Sequence, residues 1–137
     1  MPVHYERDDA RRRIVATSVG RVTLADTLAT IDRQAKEGAW SYGVLYDARG
    51  AEDIPTQSDL KQLVLHIGKL TTKYGPRGPV ALVVLDRTLT TMARRYGKLA
   101  ALTALDVRAF TTMEEAERWL ETKPSTTEGT EDAEDQT

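Results

Sequence analysis

The sequence predicts one α/β domain in which strands alternate with helices around a mainly parallel sheet. Its 137 residues are close to the usual size of a domain with a single core. Along the chain, the spacing of apolar residues changes repeatedly between the two-residue period of a strand and the ~3.6-residue period of a helix. The run from Val80 to Leu85 is apolar at every position, which is typical of a strand covered on both faces.

The first two strands are predicted to form a hairpin. Residues 3–7 and 11–19 read as strands, and Asp8, Asp9 and Ala10 lie between them. Aspartate suits a tight turn because its side chain can bond to the nearby backbone.

The first helix is predicted to begin after Thr23 and to end at Gly38. Thr23 and Asp26 have the spacing of a capping box, and glycine is the residue that most often follows the end of a helix. One helical face carries the apolar residues Leu24, Leu28, Ile31 and Ala35.

A short strand at residues 42–47 and a loop through Gly50 and Pro55 come next. The second helix is predicted from about Ser58 to Tyr74, with Ser58 as its N-cap. Residues 75–79 must end this helix, because two prolines and two glycines do not sustain helical hydrogen bonding and dihedrals.

The rest of the chain continues the alternation. A strand at 80–85 is followed by a helix over about 89–102, a strand at 107–110 and a helix to about Glu121, opened by a capping box of Thr112 and Glu115. The element order is therefore β-β-α-β-α-β-α-β-α, with one N-terminal hairpin and parallel strands joined by right-handed crossover helices.

Composition excludes several classes of function. The chain has no cysteine, which removes disulfides, thiolate nucleophiles and cysteine-based zinc sites. Its N-terminus has no apolar run of the kind found in signal peptides, and the run from Val80 to Leu85 is far shorter than the ~20 residues that span a bilayer. We expect a cytoplasmic protein without a membrane span.

The C-terminal residues differ from the rest of the chain. Residues 124–137 contain five acidic residues and no basic one, so a net charge of −2 for the whole chain leaves about +3 for residues 1–123 (−2 minus −5). This segment has no large apolar residue, and such segments do not bury enough surface to fold. We expect a single domain over residues 1–123 and a disordered acidic tail over 124–137.

Three stretches, together with the element order, resemble a known family. They are Tyr42 to Gly50, Gly78 to Asp86 followed by Met92 to Tyr96, and Val107 to Phe110 leading into Glu114 to Leu120. Over roughly residues 3–121 the chain resembles the SpoIIAA-like branch of the STAS superfamily (sulfate transporter and anti-sigma-factor antagonist).

The resemblance implies two kinds of activity. Regulatory members of the family bind protein partners and are phosphorylated on a serine at the start of the helix that follows the third strand. The usual Asp-Ser-Ser-Gly is replaced here by Pro55 to Asp59, so Ser58, or else Thr56, is the nearest candidate phosphosite. Relatives of the lipid-carrier type enclose an apolar ligand instead.

Charged side chains follow two of the predicted strands. Asp47 and Arg49 come after the third strand, and Asp86 and Arg87 after the fourth. Ligands of α/β sheets bind outside the carboxyl ends of the strands, so these residues could hold an anion or contact a partner. Alternatively, the arginines pair with the aspartates and the group has a structural role.

No catalytic, metal or cofactor site is predicted. His4 and His66 are the only histidines; neither has a carboxylate at a sequence spacing that would orient its ring, and they do not form a metal-ligand pair. Arg94, Arg95 and Lys98 form a basic strip without the aromatic residues that stack on bases. We expect no nucleic-acid partner.

Leu65 is the apolar residue of the second helix that its pattern places outside the core. It lies five residues after Leu60, which at ~100° per residue turns it away from the inner face. The sequence thus favours a non-enzymatic, STAS-like protein-interaction domain, with a regulatory role implied by the resemblance. The alternative is a binder of an apolar or lipid-like small molecule, which an apolar internal cavity would favour.

Overall fold

The computed structural model describes residues 2–100 and 106–123, without the side chains of residues 93 and 95–100. The predicted acidic tail, and the side chains of Arg95 and Lys98, therefore lie outside the described residues.

The described residues form a five-stranded sheet and four helices, which confirms the predicted α/β fold class. The strands lie side by side in chain order. The elements are β1 Val3–Asp8, β2 Arg13–Gly20, α1 Leu24–Lys36, β3 Gly43–Ala51, α2 Gln57–Tyr74, β4 Val80–Val83, α3 Asp86–Ala100, β5 Val107–Phe110 and α4 Met113–Glu121.

The pairing of the strands is also as predicted. β1 runs antiparallel to β2, with Val3 opposite Ser18, and the other neighbours are parallel, with Ile14 opposite Val44 and Val44 opposite Val80. A register shift between Thr17 and Val19 interrupts the β2–β3 ladder. The hairpin therefore adds one antiparallel edge strand to a parallel sheet.

The helices divide unequally between the two faces of the sheet. Because the parallel strands follow one another in order, right-handed connections place α1, α2 and α3 on one face, while α4 follows the last strand and packs on the other. Ala116 and Leu120 of α4 form a buried cluster with Leu45, Ala81 and Val83. On the opposite face, Ile31 and Ala35 of α1 pack with Trp40 and Ile67.

β4 is an interior strand, as the apolar run predicted, but it is shorter than that run. It lies between β3 and β5, with Ala81 and Val83 against α4. The pairing of β4 with β5 ends at Val83. Leu85, two residues further on, is 40% exposed. The prediction that the strand continues to Leu85 with both faces covered is therefore wrong at its carboxyl end, because the sheet no longer continues there.

Threonine N-caps begin three of the helices, two of them where the sequence predicted, and the complete capping box forms at α1 and α2. At α4 the Glu115 carboxylate accepts from the Thr112 hydroxyl and not from its N–H. The Thr23 hydroxyl accepts the Asp26 N–H at 3.1 Å and the Asp26 carboxylate accepts the Thr23 N–H at 2.9 Å; the Thr112 hydroxyl accepts the Glu115 N–H at 3.2 Å. The prediction of Ser58 as the N-cap of α2 is wrong. Thr56 occupies that position and forms a capping box with Asp59. Asp59 is three residues after Thr56, which places its carboxylate on the Thr56 N–H.

No helix within the described residues is long and apolar enough to cross a membrane.

Candidate functional site

A cavity of about 560 Å³ lies between the sheet and the layer formed by α1, α2 and α3. The sequence did not predict where it lies. Most of the residues that line it are aliphatic, and they come from all three helices and from β3, β4 and β5. They include Leu24, Ile31, Leu60, Leu63, Val64, Ile67, Leu82, Val84, Met92 and Val107.

The floor of the cavity carries several small side chains. The sheet contributes Ser18, Ala48 and Ala51 beside the larger Tyr46 and Leu82. A sheet face with larger residues at these positions would fill the space, since protein cores normally pack without voids larger than a water molecule.

Two hydroxyl groups interrupt the apolar floor. Ser18 on β2 is 1% exposed, and its Oγ donates a hydrogen bond to the Tyr46 hydroxyl on β3 at 2.7 Å. Both residues line the cavity.

Among the described lining residues, the charged groups lie at the two ends of the cavity. At the carboxyl ends of the strands, Arg21 and Asp53 form an exposed ion pair at 3.8 Å, and Asp59 lies beside them in its capping box with Thr56. At the amino ends, the Arg77 guanidinium donates to Gln34 Oε1 at 3.1 Å and lies over the Trp40 ring, 5.1 Å from its centroid.

Asp47 and Arg49 pair with each other on the opposite face of the sheet from the cavity. The Arg49 guanidinium makes two bonds of 2.9 Å to the Asp47 carboxylate, and its backbone N–H makes a third at 3.1 Å. These bonds lower the pKa of Asp47 and raise that of Arg49. This geometry agrees with the alternative in which the arginine pairs with the aspartate.

Asp86 and Arg87 are exposed in the first turn of α3. No hydrogen bond or ion pair of the described residues joins either of them to Asp47 or Arg49. The role of these four residues in binding a partner stays a prediction.

The predicted residues of α2 are on its outer side. Leu65 is 59% exposed, as the helical pattern predicted, and exposed lysines, Lys61 and Lys69, lie four residues on either side of it. Ser58 is exposed in the first turn, whereas the Thr56 hydroxyl is occupied by the Asp59 N–H.

The two histidines each contact a carboxylate, so the prediction that neither has one to orient it is wrong. His66 Nε2 on α2 lies 2.7 Å from Asp32 Oδ1 on α1, and the exposed His4 lies 3.0 Å from Glu6. Asp32 and His66 are 34 residues apart, so a spacing rule cannot find this pair. Neither histidine lines the cavity, and the described residues contain no group of three or more metal-ligating side chains.

Comparison with known proteins shows the fold. No family model and no curated protein matches the chain. The crystal structure of an anti-sigma factor antagonist from Mycobacterium paratuberculosis superposes with a TM-score of 0.56 at 13% sequence identity, over 87% of this chain and 94% of that one. The chain therefore has the α/β fold of the anti-sigma-factor antagonists, the STAS-type fold, which confirms the resemblance at the level of the fold.

Proposed function

We propose that this protein is a non-enzymatic binding domain of STAS-type fold that holds an apolar small molecule between its sheet and helices α1 to α3. The cavity of about 560 Å³ is the observation that carries this proposal. Its volume lies within the ~300–1,000 Å³ of small-molecule sites, which are mostly apolar with a few polar groups. This reverses the order of the two hypotheses that the sequence favoured.

The lining of the cavity supports an apolar occupant. Leu63, Val64 and Leu82 line it and are only half-buried, so a ligand beside them would remove further apolar surface from water. Each Å² of apolar surface that is removed from water contributes about 25 cal/mol.

The polar groups of the described residues support binding without catalysis. The Asp32–His66 pair does not line the cavity, and the two hydroxyls on its floor, Ser18 and Tyr46, hydrogen-bond to each other. No base lies beside them in the described hydrogen bonds that would activate either as a nucleophile.

The experiment that tests the proposal uses a hydrocarbon dye and two tryptophan variants on the same helix. Diphenylhexatriene fluoresces when it enters an apolar site. Leu63 lines the cavity, whereas Leu65 is exposed. Leu63→Trp should place a bulky indole in the cavity and weaken dye binding, and Leu65→Trp should bind the dye like the wild type. Absence of dye binding by the wild type, or equal binding by both variants, contradicts the proposal.

A protein partner that contacts α2 is the second candidate function. It is supported by the solved structure with the same fold, which is that of an anti-sigma factor antagonist, and by the exposed Leu65 between two lysines. Leu65→Lys should then weaken binding of the partner at least tenfold while leaving the free energy of unfolding within about 0.5 kcal/mol of the wild type. Ser58→Asp, measured against the same partner, tests the phosphosite. If Ser58→Asp abolishes partner binding and Leu65→Lys leaves it unchanged, binding is controlled by phosphorylation at Ser58 and not by contact with Leu65.

A further inference from the structure

The two hydroxyls on the floor of the cavity have one proton more than they use. Each hydroxyl is a donor as well as an acceptor, and the bond of 2.7 Å between Ser18 and Tyr46 takes up one of the two protons. The other has no acceptor among the described residues. Ser18 is 1% exposed, whereas Tyr46 is half-buried and lines the cavity. We therefore assign Ser18 as the donor of this bond, which leaves the phenolic O–H of Tyr46 with a proton to donate.

The charges among the described residues of the lining lie at its ends and balance. Arg21 is paired with Asp53, and Asp59 lies at the same end. At the other end the Arg77 guanidinium contacts Gln34 and Trp40. The interior between them is aliphatic, and a carboxylate buried there without a partner is strongly disfavoured.

We infer that the ligand is a neutral apolar molecule with an acceptor oxygen, such as an ester or ketone carbonyl, and that Tyr46 donates its hydroxyl proton to this oxygen. This inference rests on the proposed function, since it names the chemical class of ligand for the same cavity. The hydrogen bond from the Ser18 hydroxyl holds the phenol oxygen of Tyr46 in place.

The test compares three competitors that displace diphenylhexatriene: methyl laurate, tetradecane of similar length, and laurate. In the Tyr46→Phe variant, methyl laurate should bind about tenfold more weakly than in the wild type, which is about 1.4 kcal/mol. Tetradecane and the dye should bind as before, which shows that the variant is folded and its cavity intact. Tyr5→Phe removes a hydroxyl from a tyrosine that does not line the cavity and should leave the affinity for methyl laurate unchanged.

A measurement on the wild type does not depend on either variant. The infrared stretching band of the methyl laurate carbonyl should move to lower frequency on binding, as it does when a carbonyl accepts a hydrogen bond, and should stay unshifted in Tyr46→Phe.

The outcomes separate the two proposals. If the wild type binds neither the dye nor tetradecane, the proposed function fails and this inference fails with it. If both bind, but the ester band does not shift or Tyr46→Phe weakens all the competitors equally, only the inference is overturned. Tighter binding of laurate than of its methyl ester also overturns it, because the ligand would then be an anion.

Discussion

At the scale of single residues, the start of helix α2 depends on Thr56. Its hydroxyl accepts the Asp59 N–H at 3.0 Å, and the Asp59 carboxylate accepts the Thr56 N–H at 3.2 Å. The backbone N–H groups of Thr56 and Asp59 both have acceptors in this way. Ser58, two residues further on, is exposed, and its hydroxyl makes no hydrogen bond with the other described residues.

Alanine at these two positions should therefore have different effects. Thr56→Ala should lower the free energy of unfolding by about 1 kcal/mol because it removes the cap. Ser58→Ala should change it by less than about 0.5 kcal/mol. Urea denaturation of the two variants measures both values, and a larger cost for Ser58→Ala than for Thr56→Ala would show that the cap is assigned to the wrong residue.

Tyr5 is the residue whose ionisation should be most visible in solution. Its hydroxyl donates to Glu37 Oε1 at 3.1 Å. Burial, and next the negative charge of Glu37, raise its pKa from the ordinary value of 10.0 to about 12. A raised pKa in the folded state stabilises the protein below the unfolded value, and this contribution is lost as the pH rises from about 10 to about 12.

Tyr5→Phe should therefore reduce the alkaline loss of stability. We expect the wild type to lose free energy of unfolding more steeply than the variant between pH 10 and pH 12, because only the wild type ionises this group on unfolding. Urea denaturation at several pH values gives the two slopes, and an absorbance titration shows whether one tyrosine of the wild type titrates late. Equal slopes for the two proteins would mean that Tyr5 is not held in its neutral form.

At the scale of the elements, two glycines show where the backbone has room for a side chain. Gly68 lies within α2, and a Cβ added there would have no atom within 4 Å. Gly78 lies just before β4, where a Cβ would overlap the carbonyl oxygens of Tyr42 and Ser41. The Gly78 N–H also donates to the Trp40 carbonyl at 3.0 Å. The segment before β4 therefore packs directly on the segment before β3.

Alanine substitutions at the two glycines should have opposite signs. Gly68→Ala should raise the free energy of unfolding by about 0.5–1 kcal/mol, because alanine loses less conformational entropy than glycine in a helix. Gly78→Ala should lower it by about 1–3 kcal/mol, since the backbone must move to admit the methyl group. Thermal unfolding followed by circular dichroism measures both changes. A stabilising Gly78→Ala would show that Gly78 lies further from the carbonyls of Ser41 and Tyr42 than in this structure.

At the scale of the whole molecule, the two faces of the sheet are packed to different extents. On the α4 face, Leu45 is 2% exposed and forms a filled cluster with Ala81, Val83, Ala116 and Leu120. On the other face, Leu82 borders the cavity and is half-buried. The helix layer thus covers the sheet without filling the space beneath it.

This difference predicts unequal costs for the same truncation on the two faces. Leu45→Ala should lower the free energy of unfolding by about 2–5 kcal/mol, as expected for a filled core. Leu82→Ala should lose clearly less, because the removed atoms already adjoin empty space and few contacts are lost. Urea denaturation without added ligand gives both values, and an equal loss at the two leucines would mean that the cavity is closed in solution.

Several elements could be predicted because their signals are local. The capping-box patterns that begin at Thr23 and Thr112 each span four residues of sequence, and the apolar run from Val80 indicates an interior strand. The same pattern exists at Thr56 and Asp59, so the sequence contained the signal that corrects Ser58. Strand ends were less predictable, because the extent of β3 to Ala51 and of β4 to Val83 depends on where the neighbouring strands stop.

The sequence by itself determined the fold class, the element order and the outward position of Leu65, because periodicity, capping and turn chemistry act between residues close in the chain. Only the tertiary structure decided what adjoins what. It paired Asp32 with His66, joined Ser18 to Tyr46, and paired Arg49 with Asp47. The cavity belongs to this second group. Its volume is the space left between the sheet and three separate helices, and no local pattern in the chain determines that space.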